Sequence, residues 1–211
     1  MAFIVFEGLD GSGKTSLMRE LTKQLDGLNI AWVETREPGG TRLGDEIREL
    51  LLRQGSEIPH PRTELLLYEA SRAQHVETFI RPNLGQKKWV LCDRYSASSL
   101  AFQGGGRAIS TEEVIWLNRF ATQGLQADLT ILLDLSVEIS MKRQKNRQIQ
   151  TGQPADRIES ENMAFHEKVR QSFLEQARQE PSRWLVLSAE KSPQELSLEL
   201  HHELRLRRWL L

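Results

Sequence analysis

Residues 3–15 read Phe3-Ile4-Val5-Phe6-Glu7-Gly8-Leu9-Asp10-Gly11-Ser12-Gly13-Lys14-Thr15. The run from Phe3 to Glu7 is apolar until its last residue, as expected of a strand buried on both faces of a parallel sheet. Gly8 to Thr15 then matches G-x-x-x-x-G-K-[ST]. With glycine at about 7% of average chains, a chance match is on the order of one in a hundred sequences of this length. A strand before the motif and a helical pattern from Lys14 onward supply the context it needs. Glycines let the backbone turn its N–H groups inward, where they and the helix N-terminus hold phosphate oxygens. Lys14 adds a charge at the β- and γ-phosphates, and the Thr15 hydroxyl suits Mg²⁺. Gly8, Leu9, Asp10, Gly11, Ser12, Gly13, Lys14 and Thr15 are therefore the expected ATP-binding loop, with Lys14 as a catalytic group.

Outward from this stretch, four more runs of strand length follow: Ala31 to Thr35, Lys88 to Cys92, Leu129 to Asp134 and Trp184 to Leu187. Helix-period segments separate them, at Lys14 to Leu25, Leu43 to Arg53, Arg62 to Ile80, Thr111 to Gln123, Val137 to Gln148, Ile158 to Gln179 and Gln194 to Arg208. Ser110 reads as a helix cap with Glu112 and Glu113 in the first turn, and Pro193 as a helix opener. Strands alternating with helices predict an α/β fold, a five-stranded parallel sheet with helices on both faces and ligands at the strands' carboxyl ends.

The 211 residues suit one domain, with 28 basic against 29 acidic side chains. That balance disfavours a general nucleic-acid binder. The arginines Arg205, Arg207 and Arg208 fit the C-terminal end of the last helix. The single cysteine, Cys92, cannot form an internal disulfide and falls within an apolar run, so a buried thiol is expected. No stretch is long and apolar enough for a signal peptide or a membrane span, and a cytoplasmic location is expected.

A P-loop does not name a reaction. The strand Lys88 to Cys92 ends in Asp93-Arg94-Tyr95. An acid there could hold a Mg²⁺-bound water, and Arg94 could clamp a phosphate. Asp134 also ends a strand, but the following helix could use it as a cap. Asp10 is a carboxylate inside an anion-binding loop, so its side chain should point away from the phosphates, to a cation, a water or a sugar hydroxyl. Tyr68 and Arg72 lie four apart on one helical face, and could take a base and its phosphate. Asn146 to Asp156 is polar and holds Gly152 and Pro154 between arginines; it reads as a mobile lid or an ordinary surface connection. No guanine-reading NKxD motif accompanies the loop, which disfavours a switch GTPase.

The blocks FEGLDGSGKTS, TREPGGT, LLLYEASRAQH, CDRYSASSLAFQGGGR, LLDLSVEIS and DRIE, in this order, resemble bacterial thymidylate kinases over nearly the whole chain. The resemblance implies a P-loop nucleoside-monophosphate-kinase fold, transfer of the γ-phosphoryl of ATP to dTMP with Mg²⁺, and a homodimer. It implies one domain over residues 1–211, with a lid at about 143–157. It assigns dTMP to Asp10, Arg36, Pro38, Tyr68, Arg72, Arg94, Ser99, Phe102 and Gln103: Tyr68 stacks on thymine, Arg72 approaches the thymine edge, Asp10 faces the sugar 3′-hydroxyl and Arg94 holds the phosphate. Thr15 and Asp93 fall near Mg²⁺. Phe102 stands where many members carry tyrosine. The loop holds no arginine, so the chain is similar to members that supply it from the lid. Arg147 and Arg157 are then the candidate catalytic arginines beside Lys14 and Arg94, with at least one of the two expected to reach the transferred phosphate, and Arg143 could pack on adenine.

Overall fold

The computed structural model describes residues 1–55 and 57–210. Five strands, β1 (Phe3–Glu7), β2 (Trp32–Arg36), β3 (Trp89–Asp93), β4 (Leu129–Asp134) and β5 (Trp184–Ser188), form one parallel sheet in the order β2-β3-β1-β4-β5. The expected strands are all present, with β2 and β3 each displaced by one residue and β5 one residue longer. Side-chain alternation gives the sheet two buried faces. On one, Ile4, Phe6, Leu91, Ile131 and Leu133 pack against α1 (Lys14–Gly27) and α9 (Pro193–Leu206). On the other, Phe3, Val5, Val90 and Cys92 pack with Tyr95 and with Val76 and Ile80 from the turn that follows α3 (Pro61–His75). There Leu132 joins Phe102, Phe165, Val169 and Phe173, the last three from α8 (Met163–Gln179).

The helix expected over Arg62 to Ile80 begins one residue earlier and runs on. After α3 the chain makes a π-helical turn, Val76–Ile80, and then α4 (Arg81–Gly85). Pro82 has no N–H to return to the preceding turn and its ring crowds that carbonyl, which accounts for the widening. A short helix α5 (Ser96–Ser99) and a second π-helical stretch, Leu100–Gly106, follow β3 and were missed by periodicity. Added Cβ atoms would lie 2.9 Å from Ser172 Cβ at Gly105 and 2.4 Å from the Phe165 ring at Gly106. These glycines are what let α8 approach this segment.

The region expected to break the pattern from Asn146 remains helical. Helix α7 (Val137–Thr151) continues to Gly152, whose φ of 68° ends it in the left-handed conformation that favours glycine. Helix α8 starts at Met163 and not at Ile158, because Asn162 caps it by accepting from Phe165 N, and Asp156 caps a separate turn at Ile158 and Glu159. Helix α2 (Arg42–Leu52) packs on α3, and α6 (Thr111–Thr122) packs on α3 and the π-helical stretch at Leu100–Gly106.

Candidate active site

The loop after β1 is shaped by backbone positions that only glycine fills easily. Gly8 has φ 134°, and a Cβ there would sit 2.5 Å from Leu133 O. Lys14 curls over the loop and donates to Gly8 O and Leu9 O at 3.2 and 3.3 Å. Burial, then the charge of Arg94, lowers its pKa. The Ser12 hydroxyl is buried without a protein partner, whereas Thr15 is exposed at the helix start. The Asp10 carbonyl accepts from Ser140 Oγ at 2.7 Å and Gln144 Nε2 at 3.4 Å, both on α7. Arg143, also on α7, donates to Gly11 O and to Ala189 O, tying the loop to the turn after β5.

A second cleft adjoins this loop. Asp10, Glu37, Pro38, Arg48, Leu52, Tyr68, Arg72, Arg94, Ser98, Phe102, Gln103, Asp156 and Ile158 line it. Its hinge with the loop is the ion pair of Arg94 Nη2 and Asp10 Oδ1 at 2.9 Å. Burial alone would raise the Asp10 carboxyl, but Arg94 and then Lys14 outweigh it and hold the pKa below the usual range. Arg94 leaves β3 in a left-handed conformation, φ 72°, that carries its guanidinium over the Phe102 ring, 4.9 Å from the centroid. Glu7 stands behind it, fully buried, accepting from Tyr95 N at 2.9 Å and Ser98 Oγ at 2.7 Å. Burial pushes its pKa up to about 7 against the partial offset of Arg94. Asp93 Oδ1 is buried and has no protein partner.

Arg72, on α3, is 1% exposed and largely committed. Its Nε meets Glu37 Oε2 at 2.7 Å, and Nη1 donates to Glu69, Ser99 Oγ and Asn118 Oδ1. Its Nη2 donates to Tyr95 O at 3.0 Å, leaving a second Nη2 hydrogen for the cleft it lines. Glu37 also meets His75 Nδ1, whose Nε2 lies 2.7 Å from Thr35 Oγ1. A buried polar chain thus fixes Arg72 from behind.

Several expected positions fall elsewhere. Ser99 does not line the cleft, because its hydroxyl bridges Glu69 and Arg72; Ser98 takes its place. Arg36 is exposed and turned toward Asp45 at 3.6 Å, and the cleft's extra guanidinium is instead Arg48, which donates to Pro38 O. Gln103 reaches the wall, but its amide donates to Glu64. Arg157 is not brought to the phosphate loop: Nε donates to Leu51 O and Nη1 pairs with Glu64 at 2.7 Å, since that buried carboxylate demands a cation. Arg147 is half exposed and paired with Glu159. Asp134 is neither cap nor candidate ligand, because Arg170 holds both its oxygens and Ser136 caps α7. Arg48, Leu52, Asp156 and Ile158 escaped sequence reading, although the DRIE block holds the last two.

A parallel sheet feeding a phosphate loop, beside a cleft that pairs guanidiniums with aromatic rings, defines a P-loop kinase with the nucleoside-monophosphate-kinase fold. Residues 6–200 match the family model described as thymidylate kinase. The chain is similar to a thymidylate kinase of Bdellovibrio bacteriovorus, 58% identical over 100% of this chain and 98% of that one. It is similar to those of Pelobacter propionicus, 44% identical over 92% and 90% of the two chains, and Nostoc punctiforme, 48% identical over 85% and 84%. The chain belongs to the thymidylate kinase family.

Proposed function

We infer that the chain transfers the γ-phosphoryl group of ATP to dTMP, giving dTDP for dTTP synthesis. The observation that carries this reading is the 2.9 Å Arg94–Asp10 pair, which joins the phosphate loop to a cleft holding Tyr68 and Phe102. On this reading Lys14 exchanges the carbonyls of Gly8 and Leu9 for the β- and γ-phosphates of ATP. Tyr68 stacks on thymine, the remaining Nη2 hydrogen of Arg72 meets the ring edge, and Asp10 accepts from the sugar 3′-hydroxyl. Arg94 and Arg48 hold the acceptor phosphate in line with the γ-phosphate. Transfer then passes through a loose transition state whose charge Lys14 and Arg94 spread, with no covalent intermediate on the protein. Arg147, one turn beyond Arg143 on α7, supplies the lid's positive charge once it leaves Glu159. Arg143 offers a guanidinium face to adenine.

Mg²⁺ fits the buried, unpartnered Asp93 Oδ1 and the exposed Thr15 hydroxyl. A Mg²⁺ that travels with a nucleotide is held by one or two protein groups and by the phosphates. When bound, it neutralises charge on the phosphate oxygens.

We read residues 1–211 as one kinase domain with residues 143–157 as its lid. The exposed side chains Leu66, Ile115, Trp116 and Phe120 on α3 and α6, with Trp116 and Phe120 stacked, support a homodimer through that face. No described helix is long and apolar enough to cross a membrane; the cytoplasm, where ATP and dTMP occur, is the proposed location. A coupled assay with ATP and a panel of nucleoside monophosphates tests the reaction. dTMP should be the preferred acceptor; turnover of another nucleotide with none of dTMP would overturn the assignment.

A further inference from the structure

Glu64 is fully buried on α3, one helical turn before Tyr68. Its Oε1 accepts from Gln103 Nε2 at 2.7 Å and Arg107 Nε at 3.2 Å. Its Oε2 accepts from Arg107 Nη2 at 3.2 Å and pairs with Arg157 Nη1 at 2.7 Å. Arg107 continues to Glu161 at 2.6 Å, and Arg157 continues to Leu51 O at 2.9 Å. The charges balance, two carboxylates against two guanidiniums. The segments joined through Glu64 and Arg157 also line the acceptor cleft: Tyr68 from α3, Phe102 and Gln103 from the π-helical stretch, Asp156 and Ile158 on either side of Arg157, and Leu52 beside the Leu51 carbonyl that Arg157 meets.

We propose that Glu64 is a positioning residue that couples the acceptor cleft to the closure of the end of the lid, residues 152–157, and of the turn that follows it as far as Asn162. Asp156 and Ile158 stay at the cleft only while Arg157 is held against α3, and the same carboxylate sets the helix that presents Tyr68. A nucleotide seated on Tyr68 and under Ile158 therefore favours the arrangement that keeps water from the γ-phosphate. The inference rests on the acceptor reading above. It gives Arg157 a part in holding the lid and none in touching the transferred group.

The test compares wild type with Glu64→Gln, Arg157→Met and the double variant, measuring ADP and dTDP separately. Wild type should make ADP and dTDP in equal amounts. Each single variant should raise the dTMP KM on the order of tenfold, the usual size of such coupling, and leave the ATP KM within about twofold. Each should also release ADP in excess of dTDP. The double variant should be no worse than the poorer single one, because both break the same link. Additive losses, or equal losses for both substrates with ADP and dTDP still matched, would overturn the proposal. Arg157→Met leaves Glu64 paired with Arg107, so it decides the matter if Glu64→Gln does not fold. If wild type makes no dTDP, the acceptor assignment fails and the coupling with it; if wild type makes dTDP and the variants match it, only the coupling fails.

Discussion

The two halves of the site are built in opposite ways. The donor half is a continuous piece of chain, Gly8 to Thr15, whose shape follows from glycine placement and whose polar groups are mostly main-chain. The cleft proposed as the acceptor half is assembled from the segments after β1, β2 and β3, from α2, α3 and α5, and from the π-helical stretch at Leu100–Gly106 and the segment after α7, joined by buried ion pairs. A contiguous site needs only its own strand and helix to form. An assembled site depends on charges that stabilise the fold only while all partners are present. The difference teaches that damage to the first should remove chemistry and leave the fold intact. Damage to the second should mix binding, rate and stability.

The sharpest break is Lys14→Ala. It should lower kcat by about a thousandfold or more, while the dTMP dissociation constant, read by calorimetry, stays near wild type. A large loss of dTMP binding would show that the halves are not separable there. Next is Arg94→Ala, at the seam. Its kcat should fall and its dTMP KM rise together, with kcat/KM down on the order of a hundredfold. If only the ATP KM moved, Arg94 would belong to the donor half.

The smallest effect concerns stability alone. The Glu7 pKa is raised by burial from 4.5 to about 7. Between those values the folded protein binds more protons than the unfolded chain, so stability should fall as pH rises from 4.5 to 7 and level off above it. Thermal melts of Glu7→Gln should lack this part of the slope. A parallel pH dependence in the two proteins would mean that Glu7 is ionised throughout.

The same contrast explains what the sequence revealed. The phosphate loop and five strands could be read because motif and apolar run are local properties. Helix α7 was cut short because Gln148 to Thr151 looks polar enough for a loop, yet nothing there stops a helix before Gly152. Arg157 was misplaced for a different reason. Its position after the loop suggests a catalytic arginine, and only the folded chain brings in Glu64, 93 residues away, as its partner. Arg48 and Leu52 look like any helix surface until α2 closes the cleft. The chain from Thr35 through His75 and Glu37 to Arg72 joins residues from β2, the loop after it and α3, a grouping that spacing alone does not show.

Arg143 has a consequence for the donor. Its Nη1 and Nη2 each donate to one carbonyl, of Gly11 and Ala189, which fixes the plane of the guanidinium. A guanidinium anchored by its edge offers a base stacked on it a flat face, and its N–H groups lie in that plane and do not point at the base. A nucleobase resting there would be sensed by size and planarity, with little reading of its functional groups. On that footing the enzyme should be tolerant about which purine triphosphate supplies the phosphate.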